Sequence, residues 1–363
     1  MIRILHCFNA LDNGGVEAFV MSVYRKIDKS KVQFDFLLRS SKRTHYWDEI
    51  EEMGGRIYST PPFPKKAVSN YRATDKFFRE NAKNYAAVHI HANSLFYMKA
   101  LKSALKHKAR LCIMHSHSTQ SNSAIVSVVH NLNKRKLNSL KVTKLACSKA
   151  AGEWMFPDGN YQVIHNGIDT EKFRFNDEKR SLIRKELDIE NQLVIGHIGR
   201  FVEAKNHARL IDIFYDYQKK NENAVLLLVG FGELGNAISQ KIDQLKISDK
   251  VIMLNDRNDP HNLLQAMDVF VFPSLYEGLP ISLVEAQASG VNCVVSDIQP
   301  NQEAEICKNY KLVSLNDNNS KWISAIDSLN KQDNPREQSV DLVKSEGYDI
   351  STTCKELMSI YNG

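Results

Sequence analysis

The chain of 363 residues is too long for one ordinary hydrophobic core and has the size of two domains. With 43% hydrophobic and 25% charged residues it is globular, and no apolar run approaches the roughly 18 residues that span a bilayer. The net charge of +6 joins two unlike halves: residues 1–185 hold 32 Lys/Arg and 16 Asp/Glu (+16), residues 186–363 hold 16 and 26 (−10). Nothing between Glu80 and Glu153 is acidic, and that stretch contains twelve Lys/Arg and six His. So one-sided a field draws anionic partners such as membrane surfaces, phosphorylated lipids or nucleic acid. No helix-turn-helix, finger or stacking-aromatic motif accompanies the charge, so lipid is favoured over nucleic acid. A solvated basic face is the plainer alternative. The six cysteines are scattered, without C-x-x-C or zinc spacing, and read as reduced cytosolic residues. The opening MIRILHCFNALDNGG reads as a short strand and a glycine turn rather than a signal peptide.

Short apolar runs at 2–7, 33–38, 88–91, 111–115, 144–146 and 162–165 predict strands separated by amphipathic helices. After a charged helical stretch at 177–187 the rhythm restarts at 193–198, 224–229, 250–254, 269–272, 292–296 and 311–313. Buried strands alternating with helices imply βαβ units and parallel sheets. The fold class expected is α/β, with two Rossmann-like domains facing across a cleft. The domains are set at 1–175 and 190–345, with 346–363 as a C-terminal helical segment. No internal repeats or low-complexity tracts interrupt them.

Several loops after strand ends carry residues suited to chemistry. Asn13-Gly14-Gly15-Val16-Glu17 offers a glycine turn and a helix start whose N–H groups face an anion. His115 and His117 follow one strand, and His89 and His91 flank another strand end. Such His-x-His pairs bind metal when a third ligand is near, and the spacing shows none, so no metal is expected. Arg200 and Lys205 follow the strand at 193–198, where a guanidinium fork and an ammonium can grip phosphate oxygens, although alone such a pair is more often plain surface. Gly230, Gly232 and Gly235 spell the dinucleotide-binding fingerprint, which keeps an NAD-dependent oxidoreductase as a rival. Against it, another strand–turn–helix unit precedes the glycines, and Asp256 only loosely matches the expected ribose-binding acid. The segment 272–290, FPSLYEGLPISLVEAQASG, is the most informative. A strand runs into a loop with Glu277, Gly278 and Leu279, and a helix starting near Ile281 carries Glu285. Backbone N–H groups and a positive helix end beside two carboxylates suit a phosphate and polyol ligand. A capped helix with a solvent-facing Glu285 is the plainer reading. No G-x-S-x-G elbow supports hydrolase chemistry.

In their order along nearly the whole chain, these motifs resemble the retaining glycosyltransferases of family 4, which have the GT-B architecture, in particular bacterial exopolysaccharide and capsule enzymes. The resemblance implies transfer of a hexosyl or N-acetylhexosaminyl group from a nucleotide sugar, UDP favoured over GDP, to a lipid-linked saccharide, without metal or other cofactor. It implies catalytic roles for His117, Glu277, Arg200 and Lys205. Glu277 would meet the sugar hydroxyls and Arg200 and Lys205 the diphosphate. It implies substrate contacts for Gly15, His115, Gly232, Asn255, Gly278, Leu279 and Glu285: Gly15 at the donor phosphate, Gly232 near the diphosphate, the stretch from Asn255 to Asn258 at the base, and Glu285 on the ribose. Of the two histidines, His117 is preferred over His115 at the donor sugar. The NGxD-like turn Asn166–Asp169 and Ser148 would shape the cleft, and the last helical stretch, 351–361, would pack across the domain boundary. Where the family has Lys-Gly, this chain has Lys205-Asn206, which leaves the local turn to be established. The partners implied are the donor, the lipid-linked acceptor and the anionic inner face of the cell membrane, met through Lys134-Arg135-Lys136 with His130 and Leu132 close by; nucleic acid is not among them. The location implied is cytoplasmic and peripheral to that membrane. A GT-B epimerase acting on a UDP-sugar, or a binding protein without turnover, remains the alternative.

Overall fold

The computed structural model describes residues 1–11, 14–44, 46–121, 123–255, 257, 259–332 and 335–363. The chain divides into two units, Met1–Gly167 with Ile350–Gly363, and Ile168–Asp349. Asn13, Asp256 and Asn258 of the motifs above lie outside the described residues.

The first unit is built on strands β1 (Ile2–Phe8), β2 (Val32–Leu38), β3 (Ile57–Ser59), β4 (Ala87–Ala92), β5 (Cys112–Ser116), β6 (Thr143–Ala146) and β7 (Gln162–Val163). They pair in parallel in the order β3-β2-β1-β4-β5-β6-β7. β2 is buried at every position, so its two polar side chains must be satisfied internally. Tyr24 donates to Gln33 Oε1 at 2.6 Å, and Asp35 accepts from Arg3 Nε at 2.8 Å and from the Arg56 N–H at 2.9 Å. β3, the strand that the hydrophobic pattern does not disclose, is a three-residue edge that is only partly buried. The C-terminal helix Ile350–Asn362 belongs to this unit. Its spacing of Ile350, Cys354, Leu357 and Tyr361 lays one face on the core of β1 and β2. Of these, Ile350 and Leu357 each contribute roughly 1.5–3 kcal/mol through burial.

The second unit contains β8 (Leu193–Ile198), β9 (Ala224–Val229), β10 (Val251–Leu254), β11 (Val269–Phe272), β12 (Asn292–Ser296) and β13 (Tyr310–Val313), in the order β10-β9-β8-β11-β12-β13. All pair in parallel. β9 reads AVLLLV and is buried throughout, as a central strand covered on both faces must be. The helix Asp177–Glu186 starts where Asn176 accepts from the Lys179 N–H at 2.8 Å. Both sheets run outward one way from their first strand and then reverse, between β1 and β4 and between β8 and β11. In doubly wound sheets ligands sit beyond the carboxyl ends of the strands at that reversal. This topology directs attention to the loops after β8 and β11.

Candidate active site

At the reversal of the second sheet, the loop after β8 and the loop after β11 are tied together. The Leu275 N–H donates to Ala204 O at 2.8 Å, and the Asn206 side-chain amide donates to Pro273 O at 3.1 Å. Asn206 adopts the left-handed conformation, φ 54° and ψ 46°, that glycine would take with less strain. Asn tolerates it here because its amide is anchored across to Pro273, so the turn survives the exchange of Gly for Asn. The stitching brings Lys205 Nζ within 2.8 Å of Glu277 Oε1, with the ammonium 4.7 Å above the ring centroid of Phe272. The pair is mostly buried, with side-chain exposures of 16% and 10%. Arg200, next to the turn, is exposed, and no ion pair holds its guanidinium among the described residues.

Glu277, Gly278 and Leu279 lead into the helix Ile281–Ala288, whose first N–H groups have no side-chain cap. Glu285 is the fifth residue of that helix. Burial pushes its carboxyl up to about 8, with no hydrogen-bonded partner among the described residues to compensate. A carboxyl so placed favours a ligand that brings hydroxyl donors. Glu285 is half-buried, between the enclosed carboxyl and the solvent-facing one of the plainer reading.

The fingerprint glycines have a packing role. Gly230 (φ +147°) and Gly232 (φ +157°) run against the loop after β8: a Cβ on Gly230 would fall 2.0 Å from Gly199 O, and one on Gly232 2.5 Å from Phe201 O. The Gly230 motif follows β9, one strand removed from the reversal, which is the wrong place for a dinucleotide fingerprint. The glycines hold the Arg200 loop in position instead. Asn255 is exposed just past the edge strand β10, with its neighbours Asp256 and Asn258 outside the described residues.

In the first unit Gly15 opens the helix Gly15–Lys26. His115 and His117 belong to a set of five buried histidines that spacing alone does not reveal. Alternate residues of a strand share a face, and the parallel register sets His6 opposite His89 and His91 opposite His115. His117 Nε2 lies 2.9 Å from His91 Nδ1, and His91 Nε2 lies 2.9 Å from His6 Nδ1. A second chain runs from Tyr361 Oη to His89 Nδ1 at 2.7 Å and from His89 Nε2 to His115 Nδ1 at 3.1 Å. The third nitrogen ligand that spacing failed to show is therefore present: His91, His115 and His117, and likewise His6, His89 and His91, bring ring nitrogens within 4.8 Å of one another. The rings lie within hydrogen-bond distance of one another, and burial keeps them neutral, holding His6 and His117 down at about 3. The signal available in the sequence was the repeated His-x-His on two strands together with His6 on a third.

Two further motif residues turn out to be structural. Ser148 caps the helix Lys149–Met155, accepting from the Ala151 N–H at 3.1 Å. His130 is fully buried, accepting from the Leu95 N–H at 2.9 Å and stacking on Trp154, so it is no part of an exposed basic surface.

Residues 13–172 match the family described as Glycosyltransferase Family 4, and residues 179–344 match Glycosyl transferases group 1. The protein EpsF of Bacillus subtilis is 34% identical over 99% of this chain and 96% of its own length. The capsular polysaccharide biosynthesis glycosyltransferase CapH of Staphylococcus aureus is 24% identical over 99% of both chains. In fold, the chain is similar to the crystal structure of Anabaena HepE in complex with UDP, at a TM-score of 0.80 and 17% identity over 100% of both chains.

Proposed function

The chain belongs to the family-4 glycosyltransferases, built on the GT-B fold, and transfers a sugar from a nucleotide-sugar donor; we propose that the donor is a UDP-sugar and that a hexosyl or N-acetylhexosaminyl group passes, with retention, to a lipid-linked saccharide in exopolysaccharide or capsule assembly. The observation that carries this reading is the Lys205–Glu277 pair at the reversal of the second sheet. One N–H of Lys205 is spent on Glu277, which leaves two donors for phosphate oxygens. Arg200 adds a forked cation, and beyond the loop residues Gly278 and Leu279 the positive end of the helix Ile281–Ala288 adds a fixed dipole. Together they meet the negative charge that develops as the bond from the anomeric carbon to the diphosphate breaks. The acceptor oxygen bonds to that carbon on the same face, and its proton passes to the leaving phosphate. Glu277 accepts from the sugar hydroxyls and Glu285 from the ribose. Gly232 holds the loop beneath the diphosphate, and Asn255 offers backbone contacts to the base. In the first unit the reading gives Gly15 a role at the donor phosphate and His117, supported by His115, one at the donor sugar.

The basic first unit supports a lipid-linked acceptor and peripheral attachment to the inner face of the cell membrane. On the helix Ala124–Asn138 the exposed Ile125, Val128 and Leu132 form a stripe at i, i+3 and i+7, with Arg135 and Lys136 beside it. Lys134 turns back over Trp154, its Nζ 4.9 Å from the ring centroid. An apolar stripe flanked by cations suits the interface of an anionic bilayer. No helix among the described residues is long and apolar enough to cross a membrane.

A calorimetric and thermal-shift panel of UDP, GDP, ADP, NAD and their sugar conjugates, without metal, on wild type and Glu285→Ala tests the donor. Binding of a UDP-sugar, weakened by the substitution, is the expected result. Binding of NAD alone would overturn it, and release of an epimerised sugar without an acceptor would make the chain an epimerase.

A further inference from the structure

The first unit has its own cavity at the reversal of its sheet, about 300 Å³ in volume, lined just beyond the ends of β1, β2 and β4 by Asn9, Arg39 and Asn93, with Phe63, Phe96 and Tyr97 on one wall. Arg39 follows β2 directly. Its N–H donates to Asn9 O at 3.0 Å, and its guanidinium lies over Tyr97, 4.1 Å from the ring centroid. Tyr97 is itself fixed: its hydroxyl donates to Asn70 Oδ1 at 2.9 Å and lies 3.1 Å from Thr74 Oγ1, and Phe63 packs 4.9 Å from its ring. The cation is therefore held in place by stacking, with its N–H edge left for another group.

Arg39 is set in the cavity wall without a carboxylate partner among the described residues, unlike several other arginines of the chain. In the same unit Arg3 is paired with Asp35 and Arg25 with Glu49, and in the other unit Arg174, Arg180 and Arg257 are each paired with an acid. Among the described residues, no acid lies within ion-pair distance of Arg39, and Glu17, the acid in the cavity lining, has an interaction of its own. Burial pushes the Arg39 guanidinium down, and the neighbouring Tyr97, Cys7 and Tyr71 offset that only in part. Retaining an unpaired charge beside an aromatic wall costs stability, and binding an anion there would offset that cost.

We propose that this cavity recognises an oxyanion borne by a sugar, with Arg39 gripping the phosphate or carboxylate in a forked hydrogen bond and Phe63, Phe96 and Tyr97 covering the apolar face of the ring. The assignment deepens the transferase reading and rests on it, because the sugar oxyanion would belong to the acceptor. A planar fork matches either oxyanion, whereas a neutral sugar leaves the cation unpaired. The amides of Asn9 and Asn93 supply donors and acceptors for hydroxyls.

The test is calorimetric titration of N-acetylglucosamine 1-phosphate, glucuronic acid, neutral N-acetylglucosamine and inorganic phosphate into wild type, Arg39→Gln and Arg39→Lys, with UDP binding measured on each protein. The expected result is millimolar or tighter binding of a charged sugar, weakened by salt, lost by about tenfold or more in Arg39→Gln and partly kept in Arg39→Lys. The phosphate and carboxylate arms show which oxyanion is taken. UDP affinity should stay level across the three proteins, which shows that the variants are folded. Equal binding of neutral and charged sugars, charged-sugar binding that survives Arg39→Gln, or no binding of either charged sugar at millimolar concentration would each overturn the proposal. Absence of UDP binding in wild type would instead sink the donor reading, so the two failures are distinct.

Discussion

Replacing Glu285 by Gln should make the protein more stable, and increasingly so as pH rises. The carboxyl ordinarily titrates at 4.5 and is pushed up to about 8 in the folded chain by burial. Between those values the folded state holds a proton that the unfolded state has released. Its stabilising contribution is therefore complete below pH 4.5 and is lost as pH rises toward 8. Full linkage over that interval amounts to on the order of 5 kcal/mol. Water reaching a carboxyl that is only partly buried reduces the expected loss to about 2 kcal/mol. Gln keeps the shape and removes the titration. Urea unfolding at pH 5 and pH 8 should show wild type losing about 2 kcal/mol relative to Glu285→Gln, a shift of roughly 5 °C in Tm for a unit of this size. A nucleotide whose ribose hydroxyls donate to the carboxylate should expel the proton. Calorimetry at pH 6.5 in buffers of different ionisation enthalpy would then register proton release by wild type and none by the variant. A wild-type-to-variant gap that stays constant between pH 5 and 8 would show that Glu285 is ionised throughout, refuting the argument from burial.

Four other outcomes are expected. Lys205→Met strips Glu277 of its cation and should cost about 3 kcal/mol in urea unfolding, while the double variant Lys205→Met/Glu277→Gln recovers most of that stability but no transferase activity. Gly230→Ala drives a Cβ into Gly199 O and should lower stability by about 2–3 kcal/mol and weaken nucleotide binding through the displaced Arg200 loop; a neutral effect in both assays would contradict the close approach of the loops. Changing Ile125, Val128 and Leu132 to Ser should abolish sedimentation with anionic liposomes at low salt, as should Arg135→Gln with Lys136→Gln, each cation being worth about 1 kcal/mol; retention of both variants would place the membrane contact elsewhere. Tyr361→Phe should cost about 1–2 kcal/mol by leaving His89 Nδ1 without its partner, at unchanged UDP affinity.

The sequence by itself determined the fold class and singled out the loops proposed to carry the chemistry. Buried β9 and the alternation of strand and helix are local consequences of apolar runs and turn residues, so parallel sheets were readable from them. The Arg200–Lys205 and Glu277–Glu285 segments were readable because loop chemistry is carried by residues adjacent in the chain. What the tertiary structure decided were relations between segments distant in sequence. Lys205 and Glu277 meet 72 residues apart because the sheet reverses between β8 and β11. The same reversal explains why Gly230, one strand away, packs a loop and does not open a dinucleotide site. β3 escaped detection because a three-residue edge strand buries too little to leave a hydrophobic pattern. The five histidines gathered only through the parallel register of three strands, and Arg39 became notable only once the fold set it against Tyr97 with no carboxylate beside it among the described residues. Composition and periodicity report what each segment must bury; which charges meet and which stay unpaired depends on strand order, and no local window of the chain contains that information.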